Sequence, residues 1–228
     1  MRVGRVIAIL VGLAFVVFGL FVLVPSALGL AVVGWDNKVD TDAERLDSPT
    51  AALASEIDSI GGDWLTDRPG GDKDSAELTV KSESRGDQEL FLGVGPADEV
   101  NAYLDQGPWD KVDAFDNSAS SDVSKIETKR QGSGDPVALP APSGQDFWKD
   151  EAQPGKSVEL AWDFRKGDWS IVLMNADGSP KVDTDTSFEL YIPHLNVLLL
   201  VGIVFALVLI LIGLFLLFKV GRRPPIVG

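Results

Sequence analysis

The feature that most constrains this chain is an uninterrupted apolar stretch near its end, at residues 197–218. It holds 22 residues without a charged or strongly polar side chain. A helix of that length spans about 33 Å, enough to cross a hydrocarbon core of about 30 Å. A second uncharged run occupies residues 6–34. The sequence therefore predicts transmembrane helices at residues 6–34 and 195–218, with a water-soluble domain at residues 36–193 between them.

Charged residues are divided sharply between these segments. Every Asp and Glu lies between Asp36 and Glu189, which gives the middle segment a net charge of −19. The charged residues outside that segment are all basic: Arg2, Arg5, Lys219, Arg222 and Arg223. Basic residues beside membrane spans mark the cytoplasmic side. We therefore expect a plasma-membrane protein with residues 1–5 and 219–228 in the cytoplasm and an extracytoplasmic middle domain.

A cleaved signal peptide is the competing interpretation of the first apolar run, because Ala27 to Ala31 offers small residues for cleavage. The apolar region of a signal peptide is usually about 7–15 residues long, and this run is about twice that length. Trp35 follows the run and suits the outer interface as an aromatic anchor. The pattern favours a retained membrane span.

The acid excess of the middle segment limits its partners. Nucleic acid phosphates recruit Lys and Arg, so a net charge of −19 argues against nucleic acid. Solubility in an ionic medium explains the charge, and the sharper alternative is recruitment of divalent cations or basic partners. The chain has no cysteine, which excludes a lipoprotein anchor, thiol catalysis and Cys-based zinc sites.

Short alternating segments predict that the middle domain is mainly β. In residues 157–174, apolar residues alternate on both sides of the turn Arg165-Lys-Gly-Asp168, which predicts a hairpin with a four-residue loop. Residues 96–107 have an apolar face at helical spacing and predict one short helix. Residues 131–146 form a long connector, of a length that is often functional or mobile. Seven or so short strands with one helix indicate an antiparallel sandwich or jelly-roll-like fold.

Three segments carry a resemblance to a known family: GVGPADEVNAYLDQ at residues 93–106, QDFWKDE at 145–151 and WDFRKGDWSIVLMNADGS at 162–179. In this order they resemble a family of uncharacterised actinobacterial membrane proteins with a β-rich extracytoplasmic domain between two spans. The resemblance covers residues 48–192 loosely, and MNADGS is its most specific part. It implies architecture and a place in the cell envelope, and it assigns no catalytic or binding residue.

A candidate cation site lies in the segment Asn175-Ala-Asp-Gly-Ser179. Asn175 and Asp177 place oxygen ligands at alternate positions before a glycine, as at the opening of a calcium loop. The later ligands and the closing Glu of such a loop are missing, and a turn between strands explains the same residues. We expect no cofactor, and Asn175 and Asp177 are the metal candidates.

Three tryptophans lie beside predicted turns and loops, where an aromatic platform for a glycan or a protein partner is expected: Trp64, Trp109 and Trp148. Packing at the edge of the core is the alternative for these three side chains. Trp162 and Trp169, in contrast, fall on the alternating apolar faces and are predicted to be core residues.

The two spans share a pattern of small residues. Ala8, Gly12 and Gly19 have the same spacing, four and then seven residues, as Gly202, Ala206 and Gly213. Each set lies on one helical face, and small residues let helices approach closely. The pattern predicts a packed antiparallel pair or a face for a partner protein, although Gly and Ala are also common in membrane helices.

Catalytic chemistry has little support in the sequence. The only histidine, His194, precedes the second span, which leaves no Ser-His-Asp triad or multi-His metal site in the middle domain. We therefore expect a binding or structural accessory protein of the cell envelope that is not an enzyme. Its expected partners are the lipid bilayer and a membrane protein or a cell-wall polymer. The alternative is a carboxylate- or metal-dependent hydrolase of envelope glycans, since two carboxylates suffice for glycoside hydrolysis.

Overall fold

A computed structural model describes residues 2–57, 75–113 and 127–221 of the chain. The chain divides into two compact units. The first unit combines Met1–Val39 with Pro193–Gly228, and the second is Asp40–Ile192. The protein is therefore β-rich in its centre, with apolar helices at its two termini.

The helices in the described residues are α1 (Arg2–Val33), α2 (Ala97–Leu104) and α3 (Leu195–Gly221). Helices α1 and α3 are long and apolar enough to cross a membrane. They lie antiparallel, because Gly12 of α1 approaches Gly213 of α3 whereas Gly29 approaches Leu199. Two hydrogen bonds join the ends where α1 finishes and α3 begins. The Asn196 N–H donates to the Asn37 side chain (2.8 Å), and the Asn196 side chain donates to the Trp35 carbonyl (3.0 Å).

Eleven strands are described: β1 (Lys38–Asp40), β2 (Glu44–Ser48), β3 (Ala52–Glu56), β4 (Glu77–Ser84), β5 (Leu90–Pro96), β6 (Trp109–Asp113), β7 (Glu127–Gln131), β8 (Asp150–Glu151), β9 (Ser157–Asp163), β10 (Trp169–Asn175) and β11 (Val182–Tyr191). The first sheet has the order β1-β11-β4-β9, with β2 also paired to β11. The second sheet has the order β7-β6-β3-β10-β5-β8.

The structure corrects two expectations about strand pairing. Strands β9 and β10 do not form a hairpin, since β9 pairs with β4 in the first sheet and β10 pairs with β3 and β5 in the second. Alternation identifies the buried face of a strand and leaves its neighbour undetermined, so a short loop between two strands can also connect two sheets. The pairing is also not antiparallel throughout, because β3 and β6 are parallel.

Side chains of both sheets meet in an apolar interior. Leu46, Val80 and Phe188 of the first sheet line a cavity of about 30 Å³ together with Leu53 and Leu173 of the second. Trp162 of β9 is 1% exposed, and its ring centroid lies 5.1 Å from that of Trp169 in β10. The two strands that the sequence had predicted to pair therefore contact each other through these rings.

The other face of the second sheet carries a separate apolar cluster. Phe91, Val172 and Met174 of this face pack with Val100, Tyr103 and Leu104 of α2 and with Leu139 of the connector at residues 131–146. The connector is therefore packed against this cluster at Leu139. Tyr103 secures it through a hydrogen bond to the Pro140 carbonyl, and burial raises the pKa of Tyr103 to about 12.

Candidate functional site

The outward face of the first sheet carries mostly charged side chains. Alternate residues of β9 are buried, and the residues between them are exposed. The strand register aligns the outward side chains of β2, β4, β9 and β11. We call this surface the acidic face, and its ionisable side chains are Asp47, Glu77, Glu83, Glu159, Asp163, Asp183, Asp185 and Glu189 with the basic Arg45 and Lys81.

Acidic residues stand directly opposite acidic residues on this face. The three cross-strand pairs are Glu77 with Asp163, Glu83 with Asp185, and Asp47 with Asp183. Like charges in directly opposite positions of a sheet are destabilising, because their side chains lie close together. Without a cation beside them, such pairs do not stabilise the sheet.

Two arginines neutralise one end of the acidic face. Arg45 binds Asp183 through two nitrogens, each at 2.9 Å, and lies 3.4 Å from Asp47. Arg85, in the turn after β4, lies 2.7 Å from Asp185 and 3.7 Å from Asp183. The hydrogen bond from Arg45 is the main cause that lowers the pKa of Asp183. On strands β2, β4, β9 and β11, the eight carboxylates of this face outnumber the cations Arg45, Lys81 and Arg85 described beside them.

In the candidate cation loop, the side chains of Asn175 and Asp177 form hydrogen bonds with neighbouring residues of the same loop. Asn175 is 1% exposed, and its amide nitrogen donates to the Ser179 carbonyl (3.0 Å) and lies 3.4 Å from the Lys181 carbonyl. Asp177 accepts a hydrogen bond from the Ser179 N–H (2.9 Å). Hydrogen bonding by Ser179, first through its side chain, lowers the pKa of Asp177. Within residues 2–57, 75–113 and 127–221, no group of three or more His, Cys, Asp or Glu side chains could hold a metal ion.

The tryptophan candidates differ in their surroundings. Trp64 lies outside the described residues. Trp109 is only 8% exposed and belongs to the cluster on the second sheet. Trp148 is half-buried against Phe91 and Phe147, with ring centroids 5.1 and 4.5 Å away, and its indole N–H donates to the Pro142 carbonyl (2.8 Å). The rings of Trp109 and Trp148 therefore contribute to packing.

The small residues of α1 and α3 lie where the two helices approach. A Cβ atom added to Gly213 would lie 2.6 Å from the Gly12 carbonyl oxygen, and one added to Gly19 would lie 2.9 Å from that of Ala206. Ala206 is fully buried, and Ala8 is half-buried. Gly202 faces Ser26, whose hydroxyl oxygen would lie 2.7 Å from an added Cβ. The contact between α1 and α3 therefore contains Gly12, Gly19, Gly202, Ala206 and Gly213.

A buried carboxylate that the sequence did not single out is Asp110 of β6, which is 6% exposed. One of its oxygens accepts a hydrogen bond from Arg130 (2.6 Å), and the other accepts one from Ser48 (2.6 Å). The Ser48 hydroxyl also lies 2.7 Å from that of Thr50. Both carboxylate oxygens are satisfied, so this group joins the end of β2 to β6 and β7.

The described residues offer little that resembles a catalytic centre. The cavity between the sheets is lined by no Asp, Glu, His or Lys side chain. The carboxylates of the acidic face lie on a sheet surface, and the pairs found there are cross-strand neighbours. The geometry can therefore present negative charge to a partner over a broad surface.

Comparison with known proteins assigns no relative. No protein-family model matches the chain, and no curated protein matches it. The functional argument therefore depends on the geometry described above.

Proposed function

We propose that this protein is a two-span component of the cell envelope that presents an acidic β-sandwich domain outside the cell. Its acidic face binds a basic region of a membrane protein or a cell-wall polymer, so the protein acts as a binding or structural accessory module and not as an enzyme. The basic residues beside both spans support the orientation. The resemblance to actinobacterial two-span proteins is consistent with this location.

The observation that carries the proposal is the set of like-charged cross-strand pairs on an exposed sheet surface. A like-charged pair without a bridging cation weakens a sheet by a few tenths of a kcal/mol to about 1 kcal/mol relative to a neutral pair, and Glu77 with Asp163 is such a pair on this face. A basic partner would neutralise these carboxylates and recover that free energy on binding. Charge complementarity of this kind increases the rate and specificity of association.

The rival function, hydrolysis of envelope glycans, requires two carboxylates on opposite sides of a bound sugar. Ligand sites are usually concave pockets of about 300–1,000 Å³. The cavity of about 30 Å³ between the sheets is apolar and far smaller. The exposed carboxylates lie on an open surface, which favours binding over hydrolysis.

Site-specific photo-crosslinking in native membranes tests the proposal. A photo-reactive amino acid at Ala161, which is exposed at the centre of the β9 strand, reports on the acidic face. The matched position is Val137, 45% exposed in the connector. We expect a crosslinked species from Ala161 that is weakened by salt, and none from Val137. Equal crosslinking from the two positions, or none from Ala161, would contradict a docking role for this face.

The orientation needs a separate measurement. Reporters fused at either terminus should be cytoplasmic, and one inserted at Gly134 should be external. Gly134 suits the insertion because no described atom lies within 4 Å of an added Cβ. An external reporter at the N-terminus, or a mature chain that begins near Ala31, would overturn the two-span orientation.

A further inference from the structure

The two ends of the α1–α3 pair differ in charge. The end that contains Trp35 and Asn196 is closed by hydrogen bonds between neutral groups. At the opposite end, the exposed side chains of Arg5 in α1 and Lys219 in the last turn of α3 are both cationic. No Asp or Glu occurs in residues 1–35 or 190–228. The charge at this end therefore has no acidic counterpart within the two helices.

Arg5 and Lys219 lie at the same level along the helix pair. Arg5 precedes Gly12 by seven residues, a displacement of about 10 Å along α1, and Lys219 follows Gly213 by six residues, about 9 Å along α3. Gly12 and Gly213 are in contact, and the helices are antiparallel. The two displacements therefore point toward the same end and bring both cations to the same depth in the membrane.

The face of α1 that carries the small residues continues to this level. Gly4, Ala8 and Gly12 follow one another at intervals of four residues and so share a face of α1. Gly12 touches the backbone of α3, and Ala8 is half-buried. Around Gly4, no described atom lies within 4 Å of an added Cβ. Arg5 and Lys219 are the cations whose side chains the structure describes at this end of the pair.

Interaction with the helix dipole favours the position of Lys219 and disfavours that of Arg5. Lys219 lies at the carboxyl end of α3, where a positive charge complements the helix dipole. Arg5 lies near the amino end of α1, where the dipole disfavours a positive charge, and no acidic residue occupies the first turn of that helix. An external anion at this level would relieve the unfavourable position of Arg5.

We propose that Arg5 and Lys219 bind the headgroup phosphate of an anionic phospholipid. A guanidinium presents a fork of N–H donors that matches phosphate oxygens, and the Lys219 ammonium supplies a second, mobile charge. Lipid phosphates lie just outside the hydrocarbon core, which is the depth reached by residues at the end of a membrane-spanning helix. Arg2, Arg222 and Arg223 add positive charge in the sequence on either side of this pair.

Native mass spectrometry of the full-length chain tests this proposal. The protein is equilibrated in mixed micelles with phosphatidylglycerol and phosphatidylcholine of identical acyl chains, and the retained lipids are counted. The test variant is R5Q/K219Q, and the matched control is K129Q/K149Q, which removes two exposed lysines from the sheet domain. The conservative variant R5K/K219R retains both charges.

We expect wild type, K129Q/K149Q and R5K/K219R to retain phosphatidylglycerol preferentially, and R5Q/K219Q to lose that preference. Each basic residue near an anionic surface contributes roughly fivefold to affinity, so the double variant should bind about 25-fold more weakly. Equal retention by R5Q/K219Q and wild type would overturn the proposal, as would an equal loss in K129Q/K149Q. Displacement of the lipid by millimolar inorganic phosphate would instead show that a free anion, and not a lipid, is recognised.

Discussion

The two sheets of the central domain differ in what lies on their outward faces. Strands β5 and β10 of the second sheet are buried over nearly their whole length, because α2 and the connector cover their outer side. Strand β9 of the first sheet alternates strictly between buried and exposed residues. The second sheet therefore uses both faces for its own stability, whereas the first sheet uses one.

Within this domain, the covered face of the second sheet contributes to folding, whereas the acidic face of the first sheet remains available for a partner. The covered face gains apolar burial and buried hydrogen bonds. The acidic face instead carries the like-charged pair Glu77 and Asp163, which reduces stability. A surface that weakens its own sheet and stays exposed is the place where a partner of opposite charge has most to contribute.

The largest effect is expected from the tryptophan between the sheets. Trp162→Ala should reduce the free energy of unfolding by about 3–5 kcal/mol, the range for removing a buried large aromatic side chain. Trp148→Ala, on the covered face, should cost about 2 kcal/mol, since this ring is half-buried and also loses a hydrogen bond. Urea unfolding of residues 36–193 measures both losses.

A loss from Trp148→Ala that exceeds the loss from Trp162→Ala would contradict this ranking of the two interiors. A negligible loss from Trp148→Ala would show that the packing of this ring on Phe91 and its hydrogen bond to Pro142 contribute little to the covered face. From the sequence, Trp148 was a candidate for an aromatic platform, with packing at the edge of the core as the alternative.

The next effect concerns the attachment of the connector to the covered face. Gly178 has a φ of +75°, and a Cβ there would overlap the Leu139 carbonyl oxygen. Gly134 has a φ of +110° with open space around it, so Gly134→Ala should cost only the conformational penalty of roughly 1–2 kcal/mol. Gly178→Ala should cost roughly 1–3 kcal/mol more because of the overlap. Equal losses of stability in thermal melts of the two variants would mean that the backbone at Leu139 can shift away from the added methyl group without further cost.

Much of the architecture was predictable from local patterns. The two apolar helices and short helix α2 follow from uncharged length and from the apolar spacing of Val100, Tyr103 and Leu104. The pairing of strands was not predictable, because period-two alternation in β9 and β10 is the same whether two strands share a sheet or face each other across an interior.

The sequence predicts the exposed carboxylates of a single strand but not the acidic face that several strands form together. Glu159 and Asp163 alternate with apolar residues, which places both on one side of β9. Their alignment with Glu77 and Lys81 depends on the pairing of β9 with β4, which joins residues about 80 positions apart. Trp109 was a candidate for an aromatic platform because it lies beside a turn in the sequence. Its ring is instead buried by residues that are remote in the sequence.

A smaller effect is expected from the phenol that fixes the connector. Tyr103→Phe should cost about 1 kcal/mol at neutral pH through the lost hydrogen bond to Pro140. Because the pKa of Tyr103 is raised to about 12 in the fold and is about 10 when unfolded, the folded state holds the proton more tightly. Wild type should therefore lose stability as pH rises from about 10 to 12, while Tyr103→Phe lacks this contribution. Parallel stability curves for the two proteins above pH 10 would contradict the burial of this hydroxyl.

The smallest change in stability, and the most informative, is expected on the acidic face. Glu77→Lys replaces the like-charged pair with Asp163 by an ion pair and should stabilise the domain by about 0.2–1 kcal/mol. Glu77→Lys combined with Asp163→Lys restores a like-charged pair of the opposite sign. The double variant should therefore lose the gain in stability while it removes still more negative charge from the face.

The account is tested most directly by measuring the stability of these variants together with their crosslinking from Ala161. We predict that Glu77→Lys raises the melting temperature and lowers the crosslink yield, and that the double variant lowers the yield further without the gain in stability. Undiminished crosslinking in both variants would contradict the claim that the acidic face binds a basic partner.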